Sequence, residues 1–180
     1  MRLLGGAGVD VLRVIEAIGP RCLYHFTDGR NLPLIKRHGL LAHAELTARG
    51  IQPVCLGGDD ASRATDARKG LDSYVHLCFT DDHPMAYVAQ ATGRMRSAIF
   101  LRVSPAVLTT PGALACAVVS NRRDAHVLPL EEALNGMEWQ LAISGRDAAE
   151  AQGRTSDYEL ARKYEVLIPS EVPVSMLMDF

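Results

Sequence analysis

The spacing of apolar residues near the start of the chain predicts a strand, a turn and a short helix in succession. Tyr24, Phe26 and Thr27 favour a strand, and the Asp28-Gly29 pair that follows is a typical turn. The next apolar positions have helical spacing and are accompanied by a glycine suited to a C-cap: Leu32, Ile35, Leu40 and Gly39.

Farther along, strict alternation over residues 71–80 predicts another strand, with Val75, Leu77 and Phe79 on one face. Apolar runs predict buried strands at residues 97–103, 113–120 and 166–168, and periodic spacing predicts helices over residues 9–18, 85–91 and 130–139. Two segments lack this periodicity. Residues 47–70 are predicted to form a long, partly helical loop, and residues 146–156 a mobile loop.

The predicted strands and helices mix without strict alternation, which is typical of the α+β class. The chain has 180 residues, so we expect residues 1–180 to form a single domain with its own core. Its apolar runs are far shorter than a bilayer span, and the N-terminal residues lack the apolar core of a signal peptide. We therefore expect a cytoplasmic protein that makes no membrane contact.

The net charge and the spacing of the cysteines limit the kinds of ligand that the chain is expected to bind. A formal net charge of -2 gives no general attraction to nucleic acid, so DNA binding would need a local basic strip. The candidates for that strip are Arg63, Arg68, Lys69, Arg122 and Arg123. The four cysteines are scattered without a C-x-x-C pair, which argues against a metal site, and no glycine-rich phosphate loop follows any strand.

A candidate ligand contact lies in the first predicted strand. His25 and Thr27 are two residues apart, so their side chains point to the same face and could present two hydrogen-bonding groups to one ligand. The alternative is that His25 is a structural residue satisfied within the core, as most lone strand histidines are.

Three segments resemble the DarT family of nucleic-acid ADP-ribosyltransferases, the toxins of DarT–DarG toxin–antitoxin pairs. The first is the strand–turn–helix segment from Tyr24 to Leu41. The second runs from Asp72 to Phe79 and continues at His83-Pro84-Met85-Ala86-Tyr87, similar to the family's H-D-Y-V-P-F-Y-F and S-P-M-L-Y. The third, Arg162-Lys163-Tyr164-Glu165 with the apolar strand after it, is similar to the family's R-x-x-E-x-L-V.

The resemblance implies an ADP-ribosyltransferase fold, which is a split, mostly antiparallel β-core with flanking short helices and NAD in the central cleft. NAD would be the co-substrate, no metal would be needed, and single-stranded DNA would carry the accepting base. A macrodomain antitoxin is the implied protein partner.

The resemblance also implies roles for individual residues. Glu165 would be the catalytic glutamate, with Arg63 or Arg68 as the functional arginine and Arg63 slightly preferred. The NAD-binding residues would be His25, Thr27, Asn31, Met85 and Tyr74. A carboxylate beside the ribose would stabilise the positive charge that develops as nicotinamide leaves.

Other interpretations stay open for these residues. Glu165 could be a solvated glutamate paired with Arg162 or Lys163, and Tyr74 and Met85 could belong to the core on spacing alone. The acceptor could be RNA, protein, a small molecule or water, or the chain could be an inactive NAD-binding homologue. The chain departs from the family pattern at three places: a proline is replaced by His76, a tyrosine by Cys78, and an acidic-glycine motif by residues 121–124. Because these places are expected near the pocket for the base, the identity of the acceptor base stays open.

Overall fold

The computed structural model describes residues 10–180 and is organised around an antiparallel sheet. The strands in chain order are β1 (Leu23–Asp28), β2 (Leu40–Leu41), β3 (Tyr74–Cys78), β4 (Ala98–Val103), β5 (Leu114–Cys116), β6 (Val127–Pro129), β7 (Glu165–Pro169) and β8 (Glu171–Val172). Six of them form one sheet in the order β4-β1-β3-β7-β5-β6, and β2 pairs with β8 separately. Every one of these strand pairs is antiparallel.

Nine short α-helices flank this sheet within residues 10–180, so the predicted α+β class is confirmed. They are α1 (Val11–Ile18), α2 (Leu32–His38), α3 (His43–Ala48), α4 (Asp60–Lys69), α5 (Pro84–Ala91), α6 (Leu130–Gly136), α7 (Trp139–Ser144), α8 (Arg146–Ala151) and α9 (Thr155–Ala161). Across the same residues, no helix combines the length and the apolar composition that a bilayer span requires.

The sheet splits between β1 and β3. These strands share the single ladder pair Tyr24↔Cys78, whereas β1 pairs with β4 along its whole length and β3 does the same with β7. Beyond that pair the two strands diverge, and the ring of His25 bridges the opening by donating from Nδ1 to the His76 carbonyl oxygen over 2.9 Å. The fork that opens here is the split expected of the β-core.

The core is centred on β3 and β7. Val75, Leu77, Val166 and Ile168 alternate on one face of these strands, and each is at most 3% exposed. Four of the five residues of β7 are buried, because β7 is a central strand that is covered on both faces. Burial of that kind produces the continuous apolar run that made β7 recognisable in the sequence.

The long loop predicted for residues 47–70 is largely helical. Helix α4 is capped by the Asp59 side chain, which accepts the Ser62 N–H over 2.7 Å, and it ends at Gly70 in the left-handed conformation. None of its residues is buried. A helix that buries nothing needs no apolar stripe, so periodicity could not reveal its length.

The prediction of a mobile loop over residues 146–156 is wrong. This segment contains α8 and the beginning of α9, and Arg146 fixes it by ion pairs to Asp82 at 3.0 Å and to Glu159 at 2.7 Å. Many of its small residues are alanines, which have the highest helix propensity of all residues, so their small size does not indicate a loop.

Several predicted boundaries also need correction. The strand predicted over residues 71–80 is limited to β3, and the one over residues 113–120 is limited to β5. The helix predicted over residues 130–139 is broken into α6 and α7, and the N-cap of α5 is His83 rather than an aspartate. The predicted start of α1 at Val9 lies outside the described residues, as does the N-terminal stretch judged for a signal peptide.

Gly39 offers a test of how α2 is joined to the small sheet. It ends α2 with φ 77° and ψ -167°, a region essentially reserved for glycine, and an added Cβ would overlap the Val172 carbonyl oxygen. We expect Gly39→Ala to lower the free energy of unfolding by about 3 kcal/mol, from backbone strain together with overlap.

The matched control is Gly50→Ala, at φ 64° with nothing within 4 Å of the added Cβ, which should cost about 1 kcal/mol. Urea denaturation measures both values. Equal losses in the two variants would contradict the overlap with Val172.

Candidate active site

A cavity of about 240 Å³ lies at the fork between β1 and β3. Residues from β1, β3, β7, α2, α4, the start of α5 and the segments 51–58 and 119–121 form its wall. Apart from the alternative arginine Arg68, the residues assigned from the resemblance line it: Glu165, Arg63, His25, Thr27, Asn31, Met85 and Tyr74. The fold therefore gathers one set of side chains from five separate parts of the sequence.

Glu165 is a buried carboxylate at the first position of β7, with 7% of its surface exposed. Its Oε2 accepts the Ser120 N–H over 2.9 Å and lies 3.5 Å from His76 Nδ1. Its Oε1 lies 3.7 Å from His83 Nε2. Arg162 points elsewhere and pairs with Asp82 at 2.7 Å, which removes the interpretation of Glu165 as a solvated partner of Arg162.

The charge of Glu165 is set by its polar neighbours. Burial raises the pKa of the carboxyl, but the hydrogen bond and charge of His76 outweigh it, with further lowering by His83 and the side chain of Ser120. The pKa therefore lies below its ordinary value, and Glu165 is ionised at neutral pH. An ionised carboxylate on a cavity wall can stabilise a positive charge that develops in a bound sugar.

His25 is held as a neutral imidazole. Burial is the main cause that lowers its pKa, and the His76 carbonyl fixes the hydrogen on Nδ1. Nε2 is then an acceptor for a ligand hydroxyl. Thr27 is buried and its Oγ1 accepts a hydrogen bond from Asn31 over 3.1 Å, so the hydroxyl hydrogen is left to donate.

Asn31 uses its side-chain amide within the protein. Its Nδ2 donates to the Cys55 carbonyl over 2.6 Å as well as to Thr27, and its Oδ1 accepts the N–H groups of Val54 and Cys55 over 2.9 and 3.2 Å. Both donor hydrogens and both lone pairs are engaged. Asn31 therefore positions the 51–58 wall of the cavity against β1.

The two candidate arginines occupy different environments on α4. Arg63 lines the cavity and is oriented by the Gly58 carbonyl and the Asp60 carboxylate. Arg68 is exposed, bonds Thr65 over 2.9 Å and does not reach the cavity. Of the two arginines, Arg63 is the one that a ligand in the cavity could contact.

Met85 and Tyr74 lie at the ends of their elements and are half-buried in the cavity wall. Met85 is the second residue of α5, and its N–H points at His83 Nδ1 over 3.4 Å. Tyr74 begins β3 at the open side of the fork. Neither belongs to the fully buried core.

Two neighbours of Glu165 were missed in the sequence. His83 is fully buried and stacks on Phe26 at 5.6 Å. In the sequence its position before a proline indicates only the start of a helix, for which the preceding aspartates are the more typical N-caps. Ser120 acts through its backbone N–H, which leaves no signal in the residue type. Lys69 supports Ser120 by donating to its carbonyl over 2.9 Å.

The basic strip predicted from the sequence is only partly available to DNA, because some of its side chains are engaged within the protein. Lys69 also bonds the Arg122 carbonyl, and Arg122 itself pairs with Asp124 at 2.8 Å. Arg68 and Arg123 remain exposed. Cys78, which departs from the family pattern, is opposite Glu165 in the ladder but does not line the cavity. Among residues 10–180 no cluster of three or more histidine, cysteine or acidic side chains is placed to bind a metal.

A split antiparallel sheet with a glutamate, a histidine and a threonine in the wall of one cavity is the arrangement that the resemblance implied for an ADP-ribosyltransferase. Within that class the chain belongs to the DarT family, because the family model described as "ssDNA thymidine ADP-ribosyltransferase, DarT" matches residues 24–179. The family assigned from the sequence is thereby confirmed. No curated protein matches the chain in sequence.

Solved structures support the same fold. DarTG of Thermosipho africanus in complex with ADP-ribose aligns with a TM-score of 0.65 and 21% identity over 87% of this chain, which spans 42% of that chain. DarT of Thermus sp. 2.9 in complex with ADP-ribosylated ssDNA aligns with a TM-score of 0.63 and 18% identity, covering 88% and 79% of the two chains. The same protein in complex with NAD+ gives 0.57 and 21%, covering 88% and 80%.

Asn31 tests how the cavity wall is held. We expect Asn31→Ala to lower the free energy of unfolding by about 2–3 kcal/mol, because it removes four hydrogen bonds and leaves the 51–58 backbone groups without these partners. NAD binding should weaken about tenfold, since the wall is no longer fixed.

Thermal denaturation and calorimetry with NAD provide the two measurements. The control is Asn135→Ala, at an exposed position of α6 where the side chain bonds the Glu131 carbonyl over 2.9 Å. Unchanged NAD affinity in Asn31→Ala would show that the wall is held by other contacts.

Proposed function

We propose that the chain transfers ADP-ribose from NAD to a base of single-stranded DNA, with Glu165 as the catalytic carboxylate. The observation that carries this proposal is the buried, ionised Glu165 in the wall of the cavity at the fork. A carboxylate in this position is costly to bury, and it is retained here by a dedicated set of donors. Membership of the DarT family supports the same reaction.

The reaction breaks the bond between C1′ of the ribose and the nicotinamide nitrogen, and the bonding electrons leave with neutral nicotinamide. Positive charge then develops on the sugar, as in glycoside hydrolysis, and Glu165 stabilises it while bonding a ribose hydroxyl. The base attacks C1′, forms the new glycosidic bond and releases its proton to water. No metal has a role in these steps.

The other assigned residues would hold NAD. His25 Nε2 accepts from a hydroxyl and Thr27 donates from its own hydroxyl, while Asn31 keeps the wall in place. Arg63 offers a cation to the pyrophosphate or to the acceptor base. Met85 and Tyr74 supply the half-buried surface against which a ring can pack.

Single strands suit this cavity because a base edge inside a duplex is paired and stacked. The family description favours thymidine as the acceptor. Cys78 does not line the cavity, so of the departures noted in the sequence, His76 and the residues around Asn121 are the ones placed to alter the choice of base.

The biological setting follows from the family. We propose a cytoplasmic toxin, since NAD and DNA are both available there, with a macrodomain antitoxin as its partner. The Thermosipho relative, whose printed description is DarTG, is consistent with such a pair.

The test is incubation of the protein with NAD and oligonucleotides, followed by mass spectrometry. We expect ADP-ribose on a base of single-stranded DNA and far less on the matching duplex. Free ADP-ribose alone would identify an NAD glycohydrolase, and label on RNA or protein would identify another acceptor. Binding of NAD without turnover would identify an inactive homologue.

Replacement of the carboxylate tests the catalytic role. Glu165→Gln should keep the fold and NAD binding, because the amide oxygen can still accept the Ser120 N–H, but it should lower kcat by roughly a hundredfold or more. Glu150→Gln, at an exposed glutamate of α8, is the matched control. Activity of Glu165→Gln within a few-fold of the wild type would remove Glu165 from the mechanism.

A further inference from the structure

His76 faces a hydrogen-bond acceptor at each ring nitrogen. Nδ1 lies 3.5 Å from Glu165 Oε2, and Nε2 lies 3.3 Å from the Leu71 carbonyl oxygen. A neutral imidazole carries a single N–H and could satisfy one of these acceptors, whereas an imidazolium satisfies both. Only the charged form therefore donates to Glu165 and to Leu71 at the same time.

The same oxygen of Glu165 is held from a second direction. The Ser120 N–H donates to Oε2 over 2.9 Å, and the Ser120 hydroxyl lies 3.3 Å from His76 Nδ1. Within residues 10–180, Oε1 accepts no hydrogen bond, and His83 Nε2 approaches it at 3.7 Å. The two donors fix the orientation of the carboxylate through Oε2 and leave Oε1 for a ligand.

We propose that His76 is the positioning residue for Glu165: as an imidazolium it fixes and charge-balances the carboxylate, so that ADP-ribosyl transfer is lost when His76 gives up its proton. This inference rests on the proposed function, in which Glu165 acts on the ribose. It adds a pH control that belongs to this chain, because His76 stands where the family pattern has a proline.

The groups around His76 favour its charged form on balance. Burial lowers the pKa of the imidazole, but the Glu165 carboxylate, with Asp66 and the Leu71 carbonyl, raises it above its ordinary value. The titratable groups that face this centre come from β7, α4, the 71–73 turn, β1 and the N-cap of α5: Glu165, Asp66, Lys69, Asp72, His25 and His83. Burial lowers the pKa of His25 and of His83, which disfavours a second positive charge beside His76.

Loss of the proton weakens the contact between His76 and Glu165. The remaining hydrogen stays on Nε2 for the Leu71 carbonyl, so Nδ1 no longer donates to Oε2 and can instead accept from the Ser120 hydroxyl. A group with a raised pKa contributes its interaction below that pKa and loses it as the pH rises. Activity should therefore fall on the alkaline side, with a midpoint above the ordinary imidazole value of about 6.5.

The first experiment compares pH profiles of kcat for the wild type, His76→Gln and the control His126→Gln, which alters an exposed histidine. The glutamine amide donates to Oε2 at every pH. We expect the alkaline fall to disappear in His76→Gln, with kcat at pH 6 about tenfold lower and KM for NAD within about twofold of the wild type. The control should keep the wild-type profile, whereas an alkaline fall that persists in His76→Gln would overturn the proposal.

The second experiment measures the His76 titration by NMR in the wild type and in Glu165→Gln, with no turnover involved. We expect a pKa above the ordinary value in the wild type and a decrease of about one unit or more in the variant. An ordinary or lower pKa that is unchanged by Glu165→Gln would overturn the pairing even in an active transferase. Absence of transfer in every oligonucleotide assay would instead refute the proposed function, while the titration still decides the pairing.

Discussion

The fork between β1 and β3 is the constraint on which the rest of this structure depends. A continuous ladder would leave no room for a ligand in the middle of a sheet, and here it ends after the pair Tyr24↔Cys78. Backbone groups freed at such an opening need other partners, because buried polar groups left unpaired are costly. His25 bonds the His76 carbonyl across the fork, and Asn31 bonds the backbone of residues 54 and 55. The side chains that keep the cavity open are thus also the ones that line it.

The second requirement is to keep a charge beside that opening. Glu165 lies in the ladder between Cys78 and Cys116, two buried thiols that offer it little solvation. Its stabilisation comes from His76 and the Ser120 N–H, and Lys69 holds the Ser120 carbonyl in turn. A buried carboxylate is tolerated when it is paired and hydrogen-bonded in this way. The loop after β5 and the end of α4 therefore belong to the site although they are distant in sequence.

The segment before α5 is fixed by a separate set of charges. Asp82 pairs with both Arg146 and Arg162, and Glu159 pairs with the same two arginines. This cluster ties α8 and α9 to the residue next to His83. The ring of His83, stacked on Phe26, is consequently held at a fixed distance from Glu165. No residue of 146–156 lines the cavity, so this region supports the site from behind.

The sequence by itself determined the elements that carry their own local signal. The strand–turn–helix segment ending at Gly39, the edge strand β4 and the buried strand β7 follow from alternation, apolar runs and caps, which depend on near neighbours in the chain. Family resemblance further assigned Glu165, His25 and Arg63 to one site, and all three line the cavity. Only the tertiary structure revealed the extent of helices α4 and α8, because neither has an apolar stripe that would produce a helical pattern in the sequence. The tertiary structure alone also determined the partners of Glu165. The Ser120 N–H and the rings of His76 and His83 reach the carboxylate only because the fold brings distant segments together, and residue types do not show this in the sequence.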